Sequence, residues 1–160
     1  MLSVVARQLS LLPGPWVEVK DGDDTAREIF DQHYSRRRYR DGRRPLLFVG
    51  PGEKMVLVTP DARALFVWRK FRSLNDQDGV NCAVFRNEGA GRSSELIRTA
   101  CELAWTRWPG ERLYTYVNPR KVRRKRDPGR CFLRAGWRYC GETQGGLLIL
   151  EILAPTGGEQ

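Results

Sequence analysis

The chain alternates apolar runs of strand length with glycine and proline turns, broken by a few stretches of helical spacing. Residues 23–35, DDTAREIFDQHYS, open with acidic side chains suited to a helix N-terminus and space Ala26, Ile29 and Phe30 along one face, which predicts a first helix. The basic segment RRRYRDGRR reads as a loop or short helix. Three extended runs follow, PLLFVG, KMVLVTP and ALFVWRKF, parted by Pro-Gly and Pro-Asp turns, and together they predict an antiparallel meander. VNCAVF is a fourth strand, and SSELIRTACELAWTRW is a helix with Leu96, Ile97, Ala100, Leu103 and Ala104 on one face. RLYTYV is a fifth strand. Asp127-Pro128-Gly129 begins a short helix through Arg134, which Ala135-Gly136 closes before two last strands, WRYCGET and GLLILEIL. The expected fold class is α/β (α+β): one domain over residues 1–154, a mostly antiparallel sheet flanked by helices with one βαβ crossover, and a flexible tail from Pro155.

Charge changes this picture of an ordinary small domain. A chain of 160 residues holds one core, and its formal charge of +9, from 28 Lys plus Arg against 19 Asp plus Glu, favours a polyanionic partner. The excess is concentrated in two runs. One holds Arg36, Arg37, Arg38, Arg40, Arg43 and Arg44, interrupted by a single acid, Asp41; the other holds Arg120, Lys121, Arg123, Arg124, Lys125 and Arg126. Such runs are commonly solvated loops; they also suit DNA phosphates, with Tyr39 offering an aromatic face beside a displaced base. The four cysteines, Cys82, Cys101, Cys131 and Cys140, form no CxxC pair and read as reduced thiols on apolar faces. MLSVVARQLSLLPGPW is too short in apolar length, and too broken by Pro13 and Pro15, to span a membrane. These features predict a cytoplasmic location; the oligomeric state, monomer or homodimer, stays open.

Chemistry enters at FRNEGAGRSS, residues 85–94, where a strand hands over to a helix. Gly89, Ala90 and Gly91 allow a tight turn whose amide N–H groups, with the N-terminus of the next helix, suit a pyrophosphate. Arg86 and Arg92 add charged donors, Phe85 precedes the turn, and Ser93 and Ser94 suit either helix capping or phosphate binding. An ordinary glycine turn with a helix cap has the same pattern.

In motif and position this segment resembles the acyl-CoA-binding turn of the GNAT acyltransferase superfamily, R/Q-x-x-G-x-G/A, and CFLRAGW resembles that family's short helix ending in Gly and an aromatic residue. The resemblance covers roughly residues 20–153. Where many acetyltransferases carry a Tyr general acid for the departing thiol, this chain has Phe132. His33-Tyr34-Ser35, VFRNEG with Ser93 and Ser94, YTYVNPRKV and PGRCFLRAGW, in that order, are together similar to the bacteriophage Mom-type DNA-modification proteins. That resemblance implies transfer of a carbamoylmethyl group to the exocyclic amine of adenine in phage DNA, inside the infected bacterial cell, as protection from restriction. It also implies acetyl-CoA or a related acyl donor, and iron.

His33 is the only histidine, and imidazole suits both neutral-pH proton transfer and transition-metal binding; Tyr34 adjoins it. Strand alternation sets Tyr114, Tyr116 and Asn118 on one face, with Pro119 ending the strand. Tyr116 and Asn118 are therefore candidate catalytic residues beside His33 and Tyr34, with Glu88 and Asp127 as candidate carboxylates. Two other functions fit the same residues: N-acetyl transfer to a protein or small amine, and nucleic-acid binding without catalysis.

Overall fold

The computed structural model describes residues 14–32, 47, 49–71, 77–121 and 128–156. Its centre is strand β3 (Ala64–Lys70), whose first five residues are all buried, as a strand covered on both faces requires. β2 (Glu53–Val58) and β4 (Val80–Asn87) flank it antiparallel, and β1 (Val17–Val19), β5 (Leu113–Val117), β6 (Arg138–Glu142) and β7 (Leu148–Ile152) complete a seven-stranded sheet of order β1-β2-β3-β4-β5-β7-β6. Every neighbouring pair is antiparallel except β4 and β5. Helix α1 (Asp24–Asp31) packs Ala26 and Ile29 on one face of the sheet, against Val56, Val58, Leu65, Val67 and Val84. Helices α2 (Ser93–Arg107) and α3 (Arg130–Arg134) cover the other face.

Two indoles fasten α2 to the sheet. Trp16 and Trp68 are buried, and their Nε1–H groups donate to the carbonyls of Leu96 and Ala100 at 2.9 and 3.0 Å. Phe66 lies against both rings, with centroids 6.0 and 4.6 Å away, so the core beneath α2 is continuous.

The mixed, mostly antiparallel sheet and the middle crossover match the sequence reading. The first strand does not. Leu47, Val49 and Gly50 of PLLFVG lie in no strand, because the Asp21 carboxylate takes the Val49 amide at 3.1 Å and the place beside β2 belongs to β1. Helix α1 also ends at Asp31, with Gln32 as its C-cap, short of the expected residue 35. Cys82 and Cys101 are buried, and burial drives the Cys82 thiol pKa well up and Cys101 to about 12. Cys140, expected on an apolar face, is exposed, and its sulfur accepts from Arg112 Nη2 at 3.4 Å. The tail 157–160 lies outside the described residues. Among the described residues no helix is long and apolar enough to cross a membrane.

Glu151 on β7 is buried between Arg112 Nε at 2.5 Å and Arg138 Nη2 at 2.7 Å. The Arg112 hydrogen bond, opposed by desolvation and reinforced by Arg138, holds this carboxyl below its ordinary value. Its contribution to stability is therefore present above the unfolded-state value of about 4.3 and is lost as pH falls through the lower folded value. Glu151→Gln is expected to lower the melting temperature at pH 7 and to flatten its dependence on pH below about 5; thermal melts from pH 3 to 7 check both.

Candidate functional site at the carboxyl ends of β4 and β5

The parallel pair β4–β5 begins with an unusually close approach. A Cβ on Gly79, whose φ is +119°, would lie 2.1 Å from the Arg112 carbonyl oxygen, which accepts from Val80 N at 2.8 Å. Three residue pairs follow, Val80 with Leu113, Asn81 with Tyr114 and Cys82 with Thr115, and the pairing stops. Thr115 Oγ1 donates to the Cys82 carbonyl at 3.0 Å, completing the last rung. On its other side β4 pairs Cys82 with Trp68 and Val84 with Val67, which leaves Ala83 as the extra residue of a bulge. From Ala83 onward β4 has a strand partner on one side only. The two strands run in the same direction, so Asn87 and Asn118, at their carboxyl ends, share one end of the sheet. A crevice outside the carboxyl ends of parallel strands is where open α/β sheets place ligands.

The glycine turn lies at this end and is organised by Asn87. Asn87 Oδ1 accepts from the amides of Gly89 at 3.0 Å and Ala90 at 2.8 Å, while Nδ2 donates to the Gly91 carbonyl at 2.7 Å and to Ser93 Oγ at 3.0 Å. Two expectations are corrected here. The Gly89 and Ala90 amides are already bonded within the protein, so an anion would meet the turn beyond them. Ser93 and Ser94 do not cap α2: the N-cap is Arg92, without a side-chain bond, Ser93 is held by Asn87, and Ser94 is buried. Gly91 has φ +148° and nothing within 4 Å of where a Cβ would stand, so its space faces outward. Arg92 is exposed beside it, without an ion-pair partner among the described residues.

Other candidates sit around this centre. Arg86 donates through Nε to Glu88 at 2.6 Å and through Nη1 to the Gln32 carbonyl at 2.9 Å, which engages Glu88 as well. Phe85 packs on Phe66 and on Phe132, with centroids 5.3 and 6.0 Å away. Phe132 is buried against Trp137 at 4.8 Å and has no proton to give. Tyr116 and Tyr114 do share a face, their rings edge-on at 5.7 Å. Asn118 Oδ1 accepts from Arg120 N at 3.0 Å and so starts the 3-10 turn Pro119–Lys121, which exposes Arg120 and Lys121. His33, Tyr34, Arg36, Arg37, Arg38, Tyr39, Arg40, Arg43, Arg44, Arg123, Arg124, Lys125, Arg126 and Asp127 lie outside the described residues. Among the described residues no three His, Cys, Asp or Glu side chains are grouped to hold a metal ion.

Two contributors, Arg63 and Asn87, are absent from the sequence-based candidates, and Arg63 is not apparent in the local sequence at all. Arg63, from the turn between β2 and β3, brings Nη1 to 3.8 Å from the position of a Gly89 Cβ, because its carbonyl accepts from Glu88 N at 2.6 Å. It too lacks an ion-pair partner among the described residues. Its place depends on strand pairing, which no short motif encodes. Asn87 was legible as an Asn two residues before a glycine, a common side-chain turn. A scan against protein-family models finds no match to this chain, and a search of curated proteins finds none either.

Asn87→Ala removes all four bonds that shape the turn. It is expected to cost about 1–3 kcal/mol, measured by urea unfolding, and to leave the m-value unchanged because the core is untouched.

Proposed function

We propose that the protein is a GNAT-like group-transfer enzyme of the Mom type, modifying the exocyclic amine of adenine in DNA. The observation that carries this reading is the early end of the β4–β5 pairing, beside the Ala83 bulge, with a glycine turn and a helix N-terminus at the mouth of the gap. Acetyl-CoA or a related thioester is the donor that the resemblance implies, with its pyrophosphate at the turn. The open space at Gly91 fits the close approach of a pyrophosphate, and the guanidinium groups of Arg63 and Arg92, without an ion-pair partner among the described residues, suit its charge. Phe85, Phe132 and Trp137 form an apolar wall under the turn that limits water.

With Phe132 unable to act as an acid, proton transfer to the leaving group falls to Tyr116 or to His33. Asn118 Oδ1 already accepts from Arg120 N, and its Nδ2 is left to donate, which suits a ring nitrogen of adenine and not the exocyclic amine, itself a donor. Among the described residues no His, Cys, Asp or Glu side chains are grouped to hold iron, and His33 lies outside them. The arginine runs support DNA as the acceptor, because their charge is unmatched within the sequence.

Digestion of DNA from cells expressing the protein, followed by nucleoside mass spectrometry, tests the function without assuming a donor. A modified adenine is expected; its absence, with DNA binding intact, would favour a non-catalytic binding module, for which the self-capped glycine turn is the supporting observation.

Two variants test the parts. Gly91→Val is expected to abolish calorimetric binding of acetyl-CoA while the circular dichroism spectrum persists, since its side chain enters the open space at the turn. Replacing Arg123, Arg124, Lys125 and Arg126 with Gln is expected to flatten the salt dependence of DNA binding by up to about 0.9 in slope per residue; identical slopes would mean that the run is merely solvated.

A further inference from the structure

Arg86 stands where the resemblance expects a cofactor-binding arginine, yet its two bonds point into the protein. Nε meets Glu88 Oε2 at 2.6 Å and Nη1 meets the carbonyl of Gln32 at 2.9 Å. Gln32 is the C-cap of α1, and its carbonyl is among the terminal acceptors of the helix, which have no partner along the helix itself. Glu88 is tied in turn through its amide to the Arg63 carbonyl at 2.6 Å. One side chain thus joins three segments that are distant in sequence: the end of α1, the β4–α2 turn and, through Glu88, the β2–β3 turn. The residues that follow Gln32 in the chain are His33 and Tyr34.

We propose that Arg86 is a positioning residue, a strut that couples occupancy of the glycine turn to the end of α1, from which the chain continues into His33 and Tyr34. The inference rests on the group-transfer reading for its ligand and on the two hydrogen bonds for its geometry. The physical basis is stiffness. A guanidinium is a planar fork, so two of its nitrogens bonded at once fix the relative position of both acceptors, and a shift of the turn on binding is passed to Gln32. Arg86 lies at the last turn of β4, one residue before Asn87, so the same strand end carries both the residue that shapes the turn and the residue that reaches α1. A phosphate gripped through Nε and Nη1 would take the donor from these two acceptors; Nη2 has no bond among the described residues.

The test uses hydrogen–deuterium exchange of the peptide spanning residues 29–34, with and without CoA, in the wild type, Arg86→Ala and Arg86→Lys. In the wild type, CoA is expected to slow exchange in this peptide. In Arg86→Ala, exchange without ligand is expected to rise about tenfold and protection by CoA to disappear, while calorimetric affinity for CoA changes by less than about threefold, the loss of a charge-assisted hydrogen bond being confined to the strut. Arg86→Lys, a point charge that cannot hold both acceptors as a fork does, is expected to fall between the two, and it serves if the alanine variant does not fold. For adenine modification, kcat is expected to fall about tenfold or more with the KM for the donor little changed, as for a group that orients rather than binds.

Affinity for CoA falling in parallel with activity would make Arg86 a direct ligand and overturn the proposal; so would unchanged exchange in residues 29–34. If the wild type binds no CoA and modifies no adenine, the function is wrong and the coupling with it. The strut alone is then judged by exchange without ligand.

Discussion

The site depends on a constraint in the sheet: β4 and β5 must run parallel and must also part. Parallel strands need a long crossover, which α2 supplies, and a start at which the backbones come close enough to pair, which Gly79 alone permits beside the Arg112 carbonyl. They part because Ala83 inserts an extra residue into β4. The bulge twists the strand and redirects its later side chains: Val80 and Cys82 contribute to the core under α2, Val84 to the core under α1, and Phe85 returns to the α2 side. Had the same residues continued in strict alternation with no bulge, Phe85 would have faced α1, and its contact with Phe132 would be missing.

The crevice that results is braced chiefly by polar side chains. Asn87 shapes the turn from within, Arg86 ties it to α1, and Arg63 reaches it from a neighbouring hairpin. These bonds connect elements that the hydrophobic cores leave separate, since α1 and α2 pack on opposite faces of the sheet. Burial sets the layers, while the hydrogen bonds of the Asn87 and Arg86 side chains, with that of the Arg63 carbonyl, set the mutual placement of the loop ends.

Much of this architecture was legible because long apolar periodicities survive folding. The helix over Ser93–Arg107 and the strands around it follow from spacing alone. PLLFVG misled because its apolar composition suits a strand while its place in the sheet was decided by a distant carboxylate, Asp21, and by a three-residue strand too short to show a pattern. The site was legible as a location and less so as chemistry. Glycines at a strand-to-helix junction mark a turn, but whether its amides are free depends on where one asparagine side chain points. Arg63 could be found only once β3 was paired with β4.

The described segments that lead into the two arginine-rich stretches end at the same end of the sheet. The chain reaches its first arginine run four residues after Gln32, which is bonded to Arg86, and its second run begins with Arg120 and Lys121, in the turn begun by Asn118. Both departures therefore lie at the carboxyl ends of β4 and β5, where the strand pairing has ended. Among the described residues this end of the sheet carries Arg63, Arg92, Arg120 and Lys121, and because a cation's attraction for an anion fades over about a Debye length of 8 Å at physiological salt, these are the side chains that act on whatever meets the strand ends.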